Sequence, residues 1–315
     1  MSDRPFPSIP SQFGFATTAQ LRERGFSEWE LHEFALAGRR VTRAVYAATV
    51  GPWPEPLLRI AGGLWAGPAA ALTGVASLKL WGVEDLPEPE VIRFLVTPDS
   101  RTRRNSLGML TVRSRRAPRK FVRSDVTVAS LERSLADAGR FKELSGNDLL
   151  AATLAMLHAR RTTQELLARE VADGGDAGTR GVHEAIVAFR QGAWSRPEAV
   201  LGDAIRQDHR FPRMLSNPRL STRAGVFVGV PDGYFPGEGV AVQVHSKKYH
   251  RGVDAAGADR WERTLAKDLG YEEQQIHVVP VAPRTLYEDM GRFRDALAVV
   301  VSARRGQGPS HIVID

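Results

Sequence analysis

The sequence predicts an α+β fold in three parts, and three observations carry that expectation. Two helix-start signals run into a strand pair within residues 1–50. Apolar strands studded with arginine, framed by helical stretches, fill residues 51–175. Helices alternating with short apolar strands, one of which ends in polar groups, fill residues 176–315. A chain of 315 residues is too long for one compact core. Its 43% hydrophobic and 25% charged residues are those of an ordinary globular protein. No apolar run approaches the ~18 residues that a membrane span needs. The opening MSDRPFPSIPSQ has no basic-then-apolar signal pattern, so a cytoplasmic location and no membrane partner are expected. The chain contains no cysteine, which excludes disulfides, thiol catalysis and cysteine zinc sites.

Near the N-terminus, Thr17 to Gln20 reads as a capping box, in which Thr17 accepts from the helix backbone while Gln20 reaches back. Gly25 ends that helix, and Ser27 to Glu30 caps a second one, with Leu31, Phe34 and Ala35 at core spacing. Gly38 stops the second helix, and RRVTRAVYAAT alternates as a strand pair. Helix, tight turn, helix and hairpin is the order of a winged helix-turn-helix. That motif lays its second helix in the major groove, yet here the helix carries Glu28, Glu30 and Glu33. Phosphate contacts are therefore expected from Arg39, Arg40 and Arg43 on the wing, with Trp29 or His32 touching bases.

The stretch from Glu55 to Leu80 reads as helical, entered at Pro54 and Pro56 and left at Gly82. Val91 to Val96 and Leu107 to Val112 look like strands. Around them lie nine positive charges and no acid in twenty-three residues: Arg101, Arg103, Arg104, Arg113, Arg115, Arg116, Arg119, Lys120 and Arg123. That segment alone exceeds the chain's net charge of +7, and it points to a polyanionic partner, double-stranded DNA. Val126 to Phe141, Asn147 to His158 and Thr163 to Val171 read as helices, and ADGGDAGTRG after them as a linker. Beyond it, helices are expected at 182–191, after Ser195, at 259–269 and at 283–303, with strands at 224–230, 239–245 and 276–281.

The last part holds a catalytic candidate. Glu198 lies near a helix start, Asp232 comes directly after Pro231, and Gln243 and His245 share one face of a strand. Metal-dependent phosphodiester cleavage needs carboxylate oxygens around a divalent ion that activates water. Asp232 is the anchor of any such metal site, but Gln243 is a neutral donor and His245 a poor magnesium ligand. Ser195 to Glu198 also reads as a capping box, which explains Glu198 without metal. Lys247 and Lys248 form a basic rim that could meet phosphate.

With these residues in view, FATTAQLRERGFSEWELHEFALAGRRVTRAVYA resembles the winged-helix domain of AbiEi-type antitoxins. The similarity continues through LWAGPAAALTGVASLKLWGV and VTVASLERSLADA. The C-terminal part resembles the very-short-patch-repair type of PD-(D/E)XK endonuclease fold, through Glu198, Asp232, GlnValHisSer, then Asp259, Arg263 and Gly270-Tyr271. The resemblance implies a winged helix-turn-helix over 1–50, a middle α/β antitoxin-like domain with a basic sheet over 51–175, and a restriction-endonuclease-like α/β domain over 176–315. Gln243 and His245 stand where that family carries two acids, which implies a degenerate nuclease domain. The resemblance also implies a cognate toxin as a second class of partner. The expectation is a DNA-binding repressor or antitoxin-like regulator without a cofactor. Its rival is an endonuclease using Mg2+ or Mn2+.

Overall fold

In the computed structural model, residues 5–105, 107–245 and 260–315 are described. The chain is α+β and forms two compact units, residues 1–183 and 184–315. Lys247, Lys248 and Asp259 lie outside the described residues.

Unit 1 opens with β1 (Phe15–Thr17), α1 (Thr18–Glu23), α2 (Glu28–Leu36), β2 (Arg40–Thr42) and β3 (Val45–Ala47). Both capping boxes expected in this stretch form: Thr17 with Gln20, and Ser27 with Glu30. The three strands make one sheet in the order β1-β3-β2, so β1, absent from the sequence expectation, completes the hairpin into a sheet. Leu21, Phe26, Leu31, Phe34 and Tyr46 pack beneath the helices. Phe15, Val41 and Val45 turn the other way and share a core with Ile60, Trp65, Leu72 and Phe94. The N-terminal module is thus anchored on the helices and strands C-terminal to it.

These are α3 (Glu55–Ala66), β4 (Ala71–Thr73), α4 (Gly74–Leu80), β5 (Ile92–Val96), β6 (Met109–Arg113), β7 (Lys120–Arg123) and β8 (Val126–Ala129). The single helix expected over Glu55 to Leu80 is two helices with a strand between them. Gly67, in a conformation that L side chains rarely adopt, ends the first, and Pro68 comes next. The helix expected from Val126 also begins later. Val126, Thr127 and Val128 favour the extended chain, and Ser130 then caps α5 (Leu131–Arg140). The five strands run in the order β6-β5-β4-β8-β7.

Helices α6 (Gly146–His158) and α7 (Gln164–Gly174) complete the expected helical run. A buried polar network fastens α5 to its surroundings. Asp137 accepts from Thr73 Oγ1 at 2.8 Å, Arg133 Nε at 2.8 Å and Arg140 Nη1 at 3.2 Å. The Gly-Asp stretch expected as a linker lies within unit 1, where residues 172–178 are exposed but Gly178 is held close to α5. A Cβ at Gly178 would stand 2.5 Å from the Gly139 carbonyl oxygen, so glycine serves close backbone approach there. Helix α8 (Arg180–Arg190) contains the boundary between the units.

Unit 2 contains α9 (Arg196–Arg206), β9 (Leu215–Ser216), β10 (Leu220–Thr222), β11 (Phe227–Gly229), β12 (Gly233–Phe235) and β13 (Val240–Val244). Then come α10 (Arg260–Glu273), β14 (His277–Val281), α11 (Pro283–Glu288), α12 (Met290–Ala303) and β15 (Ile312–Ile314). The main sheet is ordered β14-β13-β12-β9. Strands β12 and β13 form an antiparallel hairpin, whereas β13 and β14 are parallel, with α10 in the crossover between them. The helix expected over 283–303 breaks at Asp289, whose φ of −143° and ψ of 41° are not helical. Leu201, Phe235, Val242, Leu286 and Leu297 build the core on one side of this sheet.

Candidate functional site

Two groups of residues were expected to carry function, and each lies within one unit. The first is the positive surface of unit 1. On α2, Trp29 is 57% exposed and His32 is exposed, so both are accessible. Two of the three acids that argued against groove contact have local work. Glu28 pairs with Arg22 at 2.6 Å, and Glu30 closes its capping box with Ser27. Arg40 and Arg43 are exposed on the hairpin. Arg39 is not available in the same way. Its guanidinium lies 4.5 Å from the Phe34 ring centre and donates to the carbonyls of Ala47 and Ala48 at 3.2 and 2.6 Å. Burial draws its pKa below the ordinary arginine value. Arg39 therefore ties the hairpin to the helices.

The basic segment is divided by the sheet it belongs to. β6 and β7 are its opposite edges, four strand spacings or roughly 19 Å apart. Segment 103–105 folds back along β6, where the Thr111 amide donates to the Arg103 carbonyl at 2.8 Å and Asn105 to Met109 at 3.1 Å. Five of the nine cations have partners. Arg103 lies over Trp65 at 5.0 Å, and Arg123 over Trp81 at 4.3 Å. Arg119 lies over Phe121 at 5.9 Å, and Lys120 donates to the Ala69 carbonyl. Arg116 makes a two-bonded pair with Glu170, one bond of 2.8 Å, against α7. Arg101, Arg104, Arg113 and Arg115 remain exposed, with no side-chain partner among the described residues. The expected nine-cation surface reduces to these four, while Arg40 and Arg43 are exposed separately on the hairpin.

The second group gathers around Asp232 in unit 2. The hairpin of β12 and β13 sets the Val244 amide 2.6 Å from Asp232 Oδ2, so the carboxylate accepts from the opposite strand. Burial, then the nearby charge of Glu198, pushes the Asp232 pKa up to about 6, which the Val244 bond and Lys267 partly oppose. Glu198, in the first turn of α9, accepts from the Trp194 amide at 2.8 Å, Ser195 Oγ at 2.6 Å and Asn217 Nδ2 at 2.6 Å. The reciprocal box expected at Ser195 does not form, because the serine hydroxyl donates to Glu198 and accepts no helix N–H.

Gln243 is 3% exposed and its Nε2 is buried without a hydrogen-bond partner among the described residues. It faces Tyr271 of α10, whose hydroxyl is pushed up in pKa by burial and eased by Gln243. The tyrosine also explains Gly229: a Cβ there would collide with its hydroxyl. His245 Nε2 lies 2.9 Å from Asp268 Oδ2, and Asp268 Oδ1 is buried without a partner among the described residues. All four candidates, Glu198, Asp232, Gln243 and His245, thus belong to one neighbourhood.

Sequence reasoning missed Lys267 and Asp268, and it met Tyr271 only as half of a Gly-aromatic pair. Their signal was helical spacing, since Thr264, Asp268 and Tyr271 at i, i+4 and i+7 share one face of α10. Among the described residues, no three His, Asp or Glu side chains are placed to hold a metal ion. Both Glu198 oxygens are already engaged, and one Asp232 oxygen belongs to Val244. The arrangement as it stands does not fit a magnesium or manganese centre. Compared with known proteins, the chain matches no protein-family model and no curated protein.

Proposed function

We propose that the chain is a double-stranded-DNA-binding regulator, a repressor or antitoxin-like protein, whose second unit is a nuclease-like scaffold with a degenerate site. The observation that carries this reading is the group of exposed, acid-free arginines at 101, 104, 113 and 115. Clustered cations without carboxylates to neutralise them gain most from a phosphate backbone. The helix-helix-hairpin order of residues 18–47 supports a winged helix as the positioning element, with Arg40 and Arg43 on the wing. The scaffold reading is supported by a hairpin that leads through a helical crossover to a parallel strand. It is also supported by Gln243 lying buried where such a site would place an anion.

A second reading, a divalent-metal-dependent endonuclease, draws on the charge coupling of Asp232 to Glu198 and Asp268. A labelled duplex, incubated with the protein with and without Mn2+ and run on native and denaturing gels, separates the two. Retarded but intact DNA is the expected result. Cleavage that disappears in Asp232→Ala would replace the regulator with the enzyme.

A further inference from the structure

The outermost strand of a sheet carries a row of backbone N–H and C=O groups that another strand can take up, and single-chain proteins blunt such edges. Among the described strands, unit 2 blunts three of its four sheet edges. Beside β9, Gly192 presses on the Ser216 carbonyl, where a Cβ would stand 3.0 Å from the oxygen. Strand β14 contains Pro280, which has no N–H to offer. The register of β11 shifts against β10, and Lys267 of α10 donates to the Val230 carbonyl just beyond it at 2.9 Å.

The fourth edge, β15, has none of these devices among the described residues. It ends the sheet β11-β10-β15 and pairs with β10 in an unbroken register, Leu220 with Ile314, Ser221 with Val313 and Thr222 with Ile312. The Arg223 amide donates to the His311 carbonyl at 2.9 Å, and the Asp315 amide to the Arg219 carbonyl at 3.0 Å. His311, Val313 and Asp315 therefore turn their backbone groups to β10, and Ile312 and Ile314 turn theirs outward. The Ile312 N–H bends back to the Pro309 carbonyl at 3.2 Å. That leaves the Ile312 carbonyl and both Ile314 groups on the open edge. Val313 and Ile314 are each 41% exposed, and Phe227, in the same cross-strand row as Val313, is 51% exposed.

We propose that β15 is a self-association edge, which pairs antiparallel with β15 of a second copy of the chain about a two-fold axis at Val313. In that register the Ile314 N–H of each copy donates to the Ile312 carbonyl of the other. Val313 meets its own equivalent, and the rows through Phe227 and Val313 join into one apolar strip across both copies. His311 stands opposite Asp315 at both ends, so a carboxylate meets a side chain that can donate to it, and no like charges face each other. This self-complementarity favours a second copy over an unrelated strand.

The chain has no cysteine, so Val313→Cys introduces a single thiol. Facing residues of a non-hydrogen-bonded antiparallel pair have Cα atoms about 4.5 Å apart, within disulfide reach. Mild oxidation of the full chain, without DNA, is expected to convert most of Val313→Cys to a dimer on a non-reducing gel. Little is expected from Val122→Cys, a thiol at an exposed position of β7 in unit 1. Sedimentation of the unsubstituted chain over a concentration series is expected to show a monomer–dimer equilibrium. Val313→Lys sets like charges together on the axis, and Ile314→Pro removes the outward N–H but no bond to β10. Each is expected to weaken the dimer about tenfold or more, with circular dichroism melts establishing that it folds. A chain that stays monomeric throughout the series, equal cross-linking at positions 122 and 313, or a dimer unchanged in either folded variant would overturn the proposal.

Discussion

Asp232 is the residue where chemistry and stability pull against each other. Folded, it holds its proton up to about pH 6, whereas the unfolded carboxyl releases it near 3.8. Between those values the native state binds more protons than the unfolded one, so stability falls as pH rises through that window and is level above it. The difference corresponds to roughly 3 kcal/mol at most. Asp232→Asn keeps an oxygen for the Val244 amide and removes the charge. It is expected to raise the urea midpoint at pH 7.5 and to have little effect near pH 4. A lower midpoint at pH 7.5 would mean that the charged form is supported by a contact not identified above. Burial made this behaviour invisible in the sequence: Pro231-Asp232 named the carboxylate, but nothing along the chain revealed that Asp268 and Tyr271 would stand beside it. Gln243 was legible as an odd residue in a strand, and its orphaned amide became apparent only with its neighbours in place.

At the scale of elements, local chemistry was read well and long-range pairing poorly. Capping boxes at Thr17 and Ser27 depend on four consecutive residues, and both formed as read. The strand β4 was hidden because Ala71-Leu72-Thr73 has helical company on both sides and becomes extended only by pairing with β5 and β8. The nine cations between 101 and 123 read as one feature because they adjoin in sequence, but strand order sends β6 and β7 to opposite edges. Arg116 illustrates the cost of that reading. It belongs to Glu170, a carboxylate also approached by Arg133 at 3.8 Å and Arg140 at 3.4 Å. Arg116→Ala is expected to lower stability by about 1–3 kcal/mol, whereas Arg115→Ala should stay within about 0.5 kcal/mol of wild type. Equal denaturation midpoints for the two variants would contradict the division of the cluster into structural and free arginines.

For the whole molecule, a net charge of +7 says less than its placement. If the free arginines meet phosphate, affinity for duplex DNA should fall with salt, by a log–log slope of about −0.9 for each phosphate neutralised. Replacing Arg104, Arg113 and Arg115 together with Ala should flatten that slope by up to about 3, as read by fluorescence anisotropy across a salt series. An unchanged slope would remove this surface from DNA binding. Arg116 is best left in place in that variant, since its loss would mix instability with lost affinity.

The outer strand of the five-stranded sheet has a further consequence. β7 is four residues long and pairs only with β8 among the described strands, so one row of its backbone N–H and C=O groups faces outward. Val122 in its middle is 66% exposed, a surface on which another extended chain could add itself. Lys120 and Arg123 bracket that valine, and two copies brought edge to edge would set like charges against each other. The charges that look like an invitation to nucleic acid therefore also guard against self-association, and a chain neutralised at both ends of β7 would be prone to pair through that edge with a second copy of itself.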